Sequence, residues 1–248
     1  MDTLQSIQFK DRRTEVLYEQ SKPTIVASLV AAVIMISILS GKTNGIILTS
    51  WFFTFLFLSI IRLYAVFRYS YSIDNLENQE LWRKWYILGA FLSGMMWGAT
   101  GYLFMPELDI MYTGFVTLCI CGLVAGSIPS YSVYHSVYYS FNLPAITPLL
   151  FYFISKFNSQ YFVMMVLTSF FVLFMFFIET RTHKMIMNLL KLKFDTSNLL
   201  LDLDEKKQEA ITLQKKWENA TNKFYFLQKE FNRAKSRISE LEAELNTK

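Results

Sequence analysis

Apolar residues gather into six long runs separated by short polar breaks. The first covers Thr24 to Leu39, opened by Pro23 and closed by Gly41-Lys42-Thr43-Asn44-Gly45. The others cover Ile46 to Val66, Trp85 to Phe104, Ile110 to about Ile128, about Tyr134 to Ile154, and Tyr161 to Ile178. Each holds 16 to 21 residues. At about 1.5 Å per helical residue, such lengths cross roughly 30 Å of hydrocarbon, the shortest only just. None alternates apolar with polar side chains, as the strands of a membrane barrel do. The pattern predicts six transmembrane helices.

Beyond Glu179 the period changes. One heptad position reads Leu203, Ala210, Trp217, Phe224, Phe231, Ile238 and Leu245, and its partner Leu199, Lys206, Leu213, Ala220, Leu227, Ala234 and Leu241. Lys206 is the single polar member, the flanking positions are rich in Lys, Glu, Gln and Asn, and no Gly or Pro follows Pro148. A sustained seven-residue repeat of this kind predicts a left-handed coiled coil. Residues 199–245 would make a rod roughly 70 Å long. The fold class expected is therefore all-α: residues 1–22 form an N-terminal arm, 23–178 a six-helix membrane module, and 179–248 a signalling helix and coiled coil.

Charge reinforces the division. Of 44 charged side chains, residues 23–178 carry only 11 and residues 179–248 carry 25. This excludes a soluble enzyme with one ordinary core, and it excludes disorder in the middle block. Cations fix the expected orientation. Lys10, Arg12, Arg13 and Lys22 precede the first run, and Arg62, Arg68, Arg83 and Lys84 flank the second connection. Fourteen more lie in the tail, whereas the opposite side holds Lys42 and Lys156. Both termini are expected in the cytoplasm of a bacterial inner-membrane protein. The tail mixes 14 cations with 11 anions, which gives no support to nucleic-acid binding. Besides the lipid bilayer, the expected partners are a second copy through the coil and a cytoplasmic signalling protein.

Small residues at a spacing of four, Ala90, Gly94 and Gly98 in the third run and Gly122 and Gly126 in the fourth, predict a close crossing of those two helices within one subunit. Dimerisation through the glycines is the second reading. Arg62, one turn from the end of the second run, reads as a snorkelling cation, or else as the buried partner of Glu179 or Glu80. The stretch from Ser130 to Asn142 is the most polar part of the membrane block. Read as one helix, it puts Tyr131, Tyr134 or His135, and Tyr138 on one face, an arrangement able to bind a small polar molecule. An interfacial belt of Tyr and Ser is the plainer reading. Cys119 and Cys121 face different directions on one helix, and the two histidines, His135 and His183, lie in different elements. No metal site and no cofactor is expected from that spacing.

Several stretches resemble the membrane input modules of bacterial sensor histidine kinases and diguanylate cyclases. They are Arg13-Thr-Glu-Val-Leu-Tyr-Glu-Gln20, Leu92-Ser-Gly-Met-Met-Trp-Gly98, Gly122-Leu-Val-Ala-Gly-Ser127 and Glu179-Thr-Arg181. The resemblance implies a membrane sensor, with Glu179 and Arg181 at the membrane exit as coupling residues; Arg62 is a further coupling candidate, and the dimer is expected from the coil. No Gly-Gly-Asp/Glu-Glu-Phe, Glu-Ala-Leu, phosphate-binding Gly loop or receiver pattern occurs, and no His follows His183. A non-catalytic sensor or adaptor is therefore expected, acting on a bound partner. The alternatives are a membrane tether or assembly factor that recruits a partner through the coil and, less favoured, a small transporter or channel subunit. Intramembrane carboxylates that would mark an ion path are lacking away from the ends of the runs.

Overall fold

A computed structural model describes residues 3–71, 79–156 and 158–245, with side chains described over 12–70, 79–106, 108–156 and 158–239. Six α-helices account for nearly all of it, with no strand among the described residues: α1 (Thr3–Leu39), α2 (Gly45–Tyr71), α3 (Gln79–Leu103), α4 (Ile110–Tyr131), α5 (His135–Ser155) and α6 (Ser159–Leu245). A short 3-10 turn, Met105–Glu107, joins α3 to α4. The chain divides into two compact units, Met1–Lys191 and Leu192–Lys248.

Local chemistry sets the ends. Gly41, at φ 75°, takes the left-handed position that stops α1, and the Lys42 amide donates to the Leu39 carbonyl at 3.0 Å. Glycine accepts that geometry without strain. Asn44 then caps α2, its Oδ1 accepting from the Ile46 amide at 3.0 Å, which satisfies a donor otherwise left open at a helix start. Pro23 was expected to open the first span, but it lies inside α1. Its ring removes one helical hydrogen bond without ending the helix, because neighbouring helices hold both sides of the break.

Five helices, α1, α2, α4, α5 and α6, contain stretches long and apolar enough to cross a membrane. In α3 the run from Trp85 to Leu103 has no charge, yet four glycines with Trp85, Tyr86, Trp97 and Tyr102 lower its mean hydropathy. This helix is packed on several sides, against α1, α2 and most extensively α5. Trp51, Phe55, Trp97 and Phe104 pack edge-to-face across α2 and α3, and the Trp51 Nε1–H donates to the Met96 carbonyl at 2.7 Å. Tyr18 stacks on Tyr69 at 4.0 Å and donates to the Trp82 carbonyl at 2.9 Å, tying α1 to α2 and α3.

The expected crossing of the third helix with the fourth is corrected by this packing. Gly94 and Gly98 lie against α5, where an added Cβ would overlap the carbonyl oxygens of Phe141 and Pro144. Ala90, on the same face, is fully buried. At Gly122 and Gly126 an added Cβ would meet nothing within 4 Å. Four-residue glycine spacing marks a smooth face on a helix but does not name the helix that covers it. On α5, Pro148 leaves one of these two carbonyls open. It stands four residues after Pro144 and has no N–H, so the Pro144 carbonyl lacks its helical donor. The Gly98 Cα hydrogen, occupying the direction a Cβ would take, points at that free oxygen as a weak donor.

In α6, Thr168 and Glu179 are the buried residues among those described, while Phe162, Val166, Phe170, Leu173 and Phe177 are exposed. In the unit Leu192–Lys248 the described side chains of the heptad stripe all stand open, among them Leu199, Leu203, Leu213, Trp217, Phe224, Leu227, Phe231 and Ile238. Ala210, Ala220 and Ala234 are exposed between them. Leu241 and Leu245 fall outside the described side chains.

Candidate functional site at the junction of the fourth and fifth helices

Ser130 to Asn142 was read as one helix; the structure breaks it. The first helix ends at Tyr131, residues Ser132 to Tyr134 turn, and α5 starts at His135. The Ser132 amide still bonds to the Ile128 carbonyl at 3.0 Å, and the Tyr134 amide turns back to the Tyr131 carbonyl at 3.1 Å. A turn leaves other carbonyls free for side chains, and two helices use them.

From α1, the Arg13 Nη2 donates to the Val133 carbonyl at 2.8 Å, and its guanidinium stands 4.3 Å from the centre of the Tyr134 ring. The hydroxyls of Thr14 and Tyr134 are 3.2 Å apart. From α6, His183 Nδ1 meets the Ser132 carbonyl at 2.5 Å. A carbonyl only accepts, so Nδ1 carries the proton. Burial, the largest influence, lowers the His183 pKa below the usual imidazole range, opposed by the Ser132 hydrogen bond.

Glu179, one turn earlier on α6, is 0% exposed, and its Oε1 lies 2.8 Å from His135 Nδ1. Its Oε2 has no hydrogen-bond partner among the described residues. The rings of His135 and His183 face each other with centroids 3.8 Å apart and planes 32° apart. The two histidines, distant in sequence, therefore come together beside one carboxylate, with a ligand atom of each of the three residues within 4.8 Å of the others. Tyr138, 1% exposed, packs edge-on against Phe176, and Tyr139 lies between Phe176 and the His135 ring.

The tyrosines proposed from the sequence do not line one cavity with His135. Tyr134 faces Arg13 and Thr14, Tyr138 faces α6, and Tyr131 belongs to a different cluster on the far side of the break. That cluster surrounds Arg62. The side chain is only 8% exposed, so it does not snorkel, and neither Glu179 nor Glu80 is its partner. Glu80 pairs with Lys84 at 3.2 Å. Arg62 donates instead to Ser93 Oγ at 2.9 Å and to the Tyr131 hydroxyl at 3.0 Å, and it lies 5.6 Å from the Tyr86 ring centre. Gly89 makes the room, because a Cβ there would stand 3.3 Å from the Arg62 Cγ and Nε. Arg181 is exposed, and Cys119 and Cys121 are half-buried free thiols.

Hydroxyls in place of a carboxylate make the Arg62 cluster asymmetric. Removing the acceptors strands a buried cation, whereas removing the cation leaves neutral hydroxyls. The double variant Ser93→Ala/Tyr131→Phe should therefore cost about 3 kcal/mol. Arg62→Met should cost less than half of that. Thermal unfolding in detergent reads both, and equal losses would refute the asymmetry.

No family model matches this chain, and no curated protein or solved structure is similar to it.

Proposed function

We propose that the chain is a non-catalytic membrane sensor or adaptor. The six-helix module receives a membrane or small-molecule cue, and α6 carries it into a coiled coil that pairs two copies in the cytoplasm. In this reading all six helices cross the bilayer, α3 in the interior, and both termini lie on the cation-rich cytoplasmic side. The resemblance to input modules of sensor kinases and diguanylate cyclases is part of the same proposal.

One observation carries it. Along α6 the fully buried anchor is not an apolar residue but Glu179, held by the first residue of α5. An apolar anchor gives a broad, non-directional attachment, while a single buried carboxylate is satisfied in one geometry and penalised in others. Such a contact has two discrete states, the property a relay needs. The α6 helix also contains the open heptad stripe, which a second copy would bury as a parallel seam.

Disulfide crosslinking tests the relay. In a background with Cys119 and Cys121 replaced by alanine, single cysteines at positions 203, 210, 217, 224, 231 and 238 should crosslink two copies in native membranes. Glu179→Gln or His135→Ala should redistribute that pattern at least threefold. A pattern indifferent to both substitutions would refute the relay and leave the tether reading.

A further inference from the structure

The geometry points to His135, Glu179 and His183 as a binding site for a divalent transition-metal cation of the zinc class. It deepens the relay proposed above by naming a ligand for the junction that relay uses. Whether the metal binds is nevertheless independent of whether the relay operates.

The donor set is the first argument. Two imidazoles and one carboxylate suit zinc and its neighbours among the divalent transition metals; magnesium and calcium take oxygen ligands. Distance is the second. One ligand atom from each of the three residues lies within 4.8 Å of the others, and His135 Nδ1 and Glu179 Oε1 are 2.8 Å apart. Adjacent donors around an ion bound at about 2.0–2.1 Å stand roughly 3 Å apart. Small side-chain rotations close the remaining gap.

The tautomer is the third argument, and it is independent of the other two. Because His183 Nδ1 donates to the Ser132 carbonyl, Nε2 is the nitrogen left to bind an ion. Metal-binding histidines commonly have this arrangement, with one nitrogen on the ion and the other donating to a backbone carbonyl that fixes the ring. Finally, Glu179 is completely buried and its Oε2 has no donor among the described residues. A cation would supply the missing partner for that carboxyl group.

Arg13 is the charge that opposes a cation here; it acts on His183 from α1. The His135 side chain is 43% exposed, so the ion would have a solvent path and open positions for water. Both features describe a site that loads and unloads, not a permanent structural ion. Binding would pin α6 to the start of α5 and turn a hydrogen-bonded contact into a coordinated one.

Zinc titration of the untagged full chain, purified in nanodiscs and stripped with EDTA, tests the site. The protein should take up a single zinc ion per chain by calorimetry and ignore magnesium. His183→Ala and Glu179→Gln should each weaken binding at least tenfold, and Cys119→Ala/Cys121→Ala should leave it unchanged. Because the chain holds only two histidines, X-ray absorption of the zinc-loaded wild type reports imidazole ligation without any variant. Absence of zinc uptake, or uptake that survives loss of both histidines, would overturn the site and leave the relay standing. Binding that leaves the coil crosslinking pattern unmoved would overturn the relay and leave the site standing.

Discussion

Replacing Gly98 with leucine should eliminate folded protein, and Gly94→Leu should come close to doing so. At both positions the first added carbon collides with α5 backbone, and the rings of Pro144 and Pro148 stand 2.9 and 3.0 Å from the two added carbons. A flexible side chain would turn aside, but carbonyl groups and proline rings cannot. Overpacking a core costs about 1–3 kcal/mol when neighbours can adjust; here α5 must separate from α3, the helix pair in most extensive contact among the described residues. Leucine at Gly122 or Gly126 supplies the control, since the added Cβ meets nothing there. Those variants should stay within about 0.5 kcal/mol of the parent. Size-exclusion profiles and thermal unfolding in detergent separate the two pairs. A Gly98→Leu protein that elutes and melts like the parent would refute the α3–α5 contact. Collapse at Gly126 would point instead to packing between subunits.

On the proposed paired coil, charges in the heptad stripe should abolish pairing of the tail and leave the residues before it folded. Leu213, Leu227 and Ile238 are exposed by 57–59%, and burying such a side chain contributes about 2 kcal/mol. Each substitution counts twice in a homodimer. Replacing all three with aspartate therefore removes roughly 12 kcal/mol, the whole free energy of a nanomolar dimer. The same three changes at Lys207, Lys216 and Glu230, off the stripe, should do nothing. Single-molecule counting in native membranes reads the outcome. Unchanged dimers in the stripe variant would mean that the module, not the coil, brings two copies together.

The helices were legible because the signal for them is local. Apolar runs and heptads each arise from neighbours within a few turns, so a helix covers most of each apolar run; α1, however, begins at Thr3 and takes in most of the stretch expected as a separate arm, residues 1–22. Partner choice was not legible. The glycines of α3 and those of α4 look alike in sequence, and what distinguishes them is the α5 backbone, which lies against Gly94 and Gly98 while a Cβ at Gly122 or Gly126 would meet nothing within 4 Å. The candidate site was obscured in the same way. His135 drew notice for its polar neighbours, but Glu179 and His183 lie 44 and 48 residues further on, and no periodicity links them. Treating Ser130 to Asn142 as one helix hid the turn whose carbonyls gather Arg13 and His183. A buried arginine normally suggests a carboxylate, and no sequence pattern marks the hydroxyls of Ser93 and Tyr131 as its acceptors instead.

The Arg62 cluster also has a history within each chain's synthesis. Arg62 leaves the ribosome before both of its acceptors, Ser93 and Tyr131, which follow it by 31 and 69 residues. At about 5–20 residues per second, the wait for Tyr131 lasts roughly 3–14 s. Through that interval the guanidinium lacks both of these acceptors. Glu179 has the opposite order, since His135 is made first and is already present when the carboxylate emerges. The two buried polar clusters thus assemble at different times: one waits for the chain to catch up, and the other closes as α6 arrives.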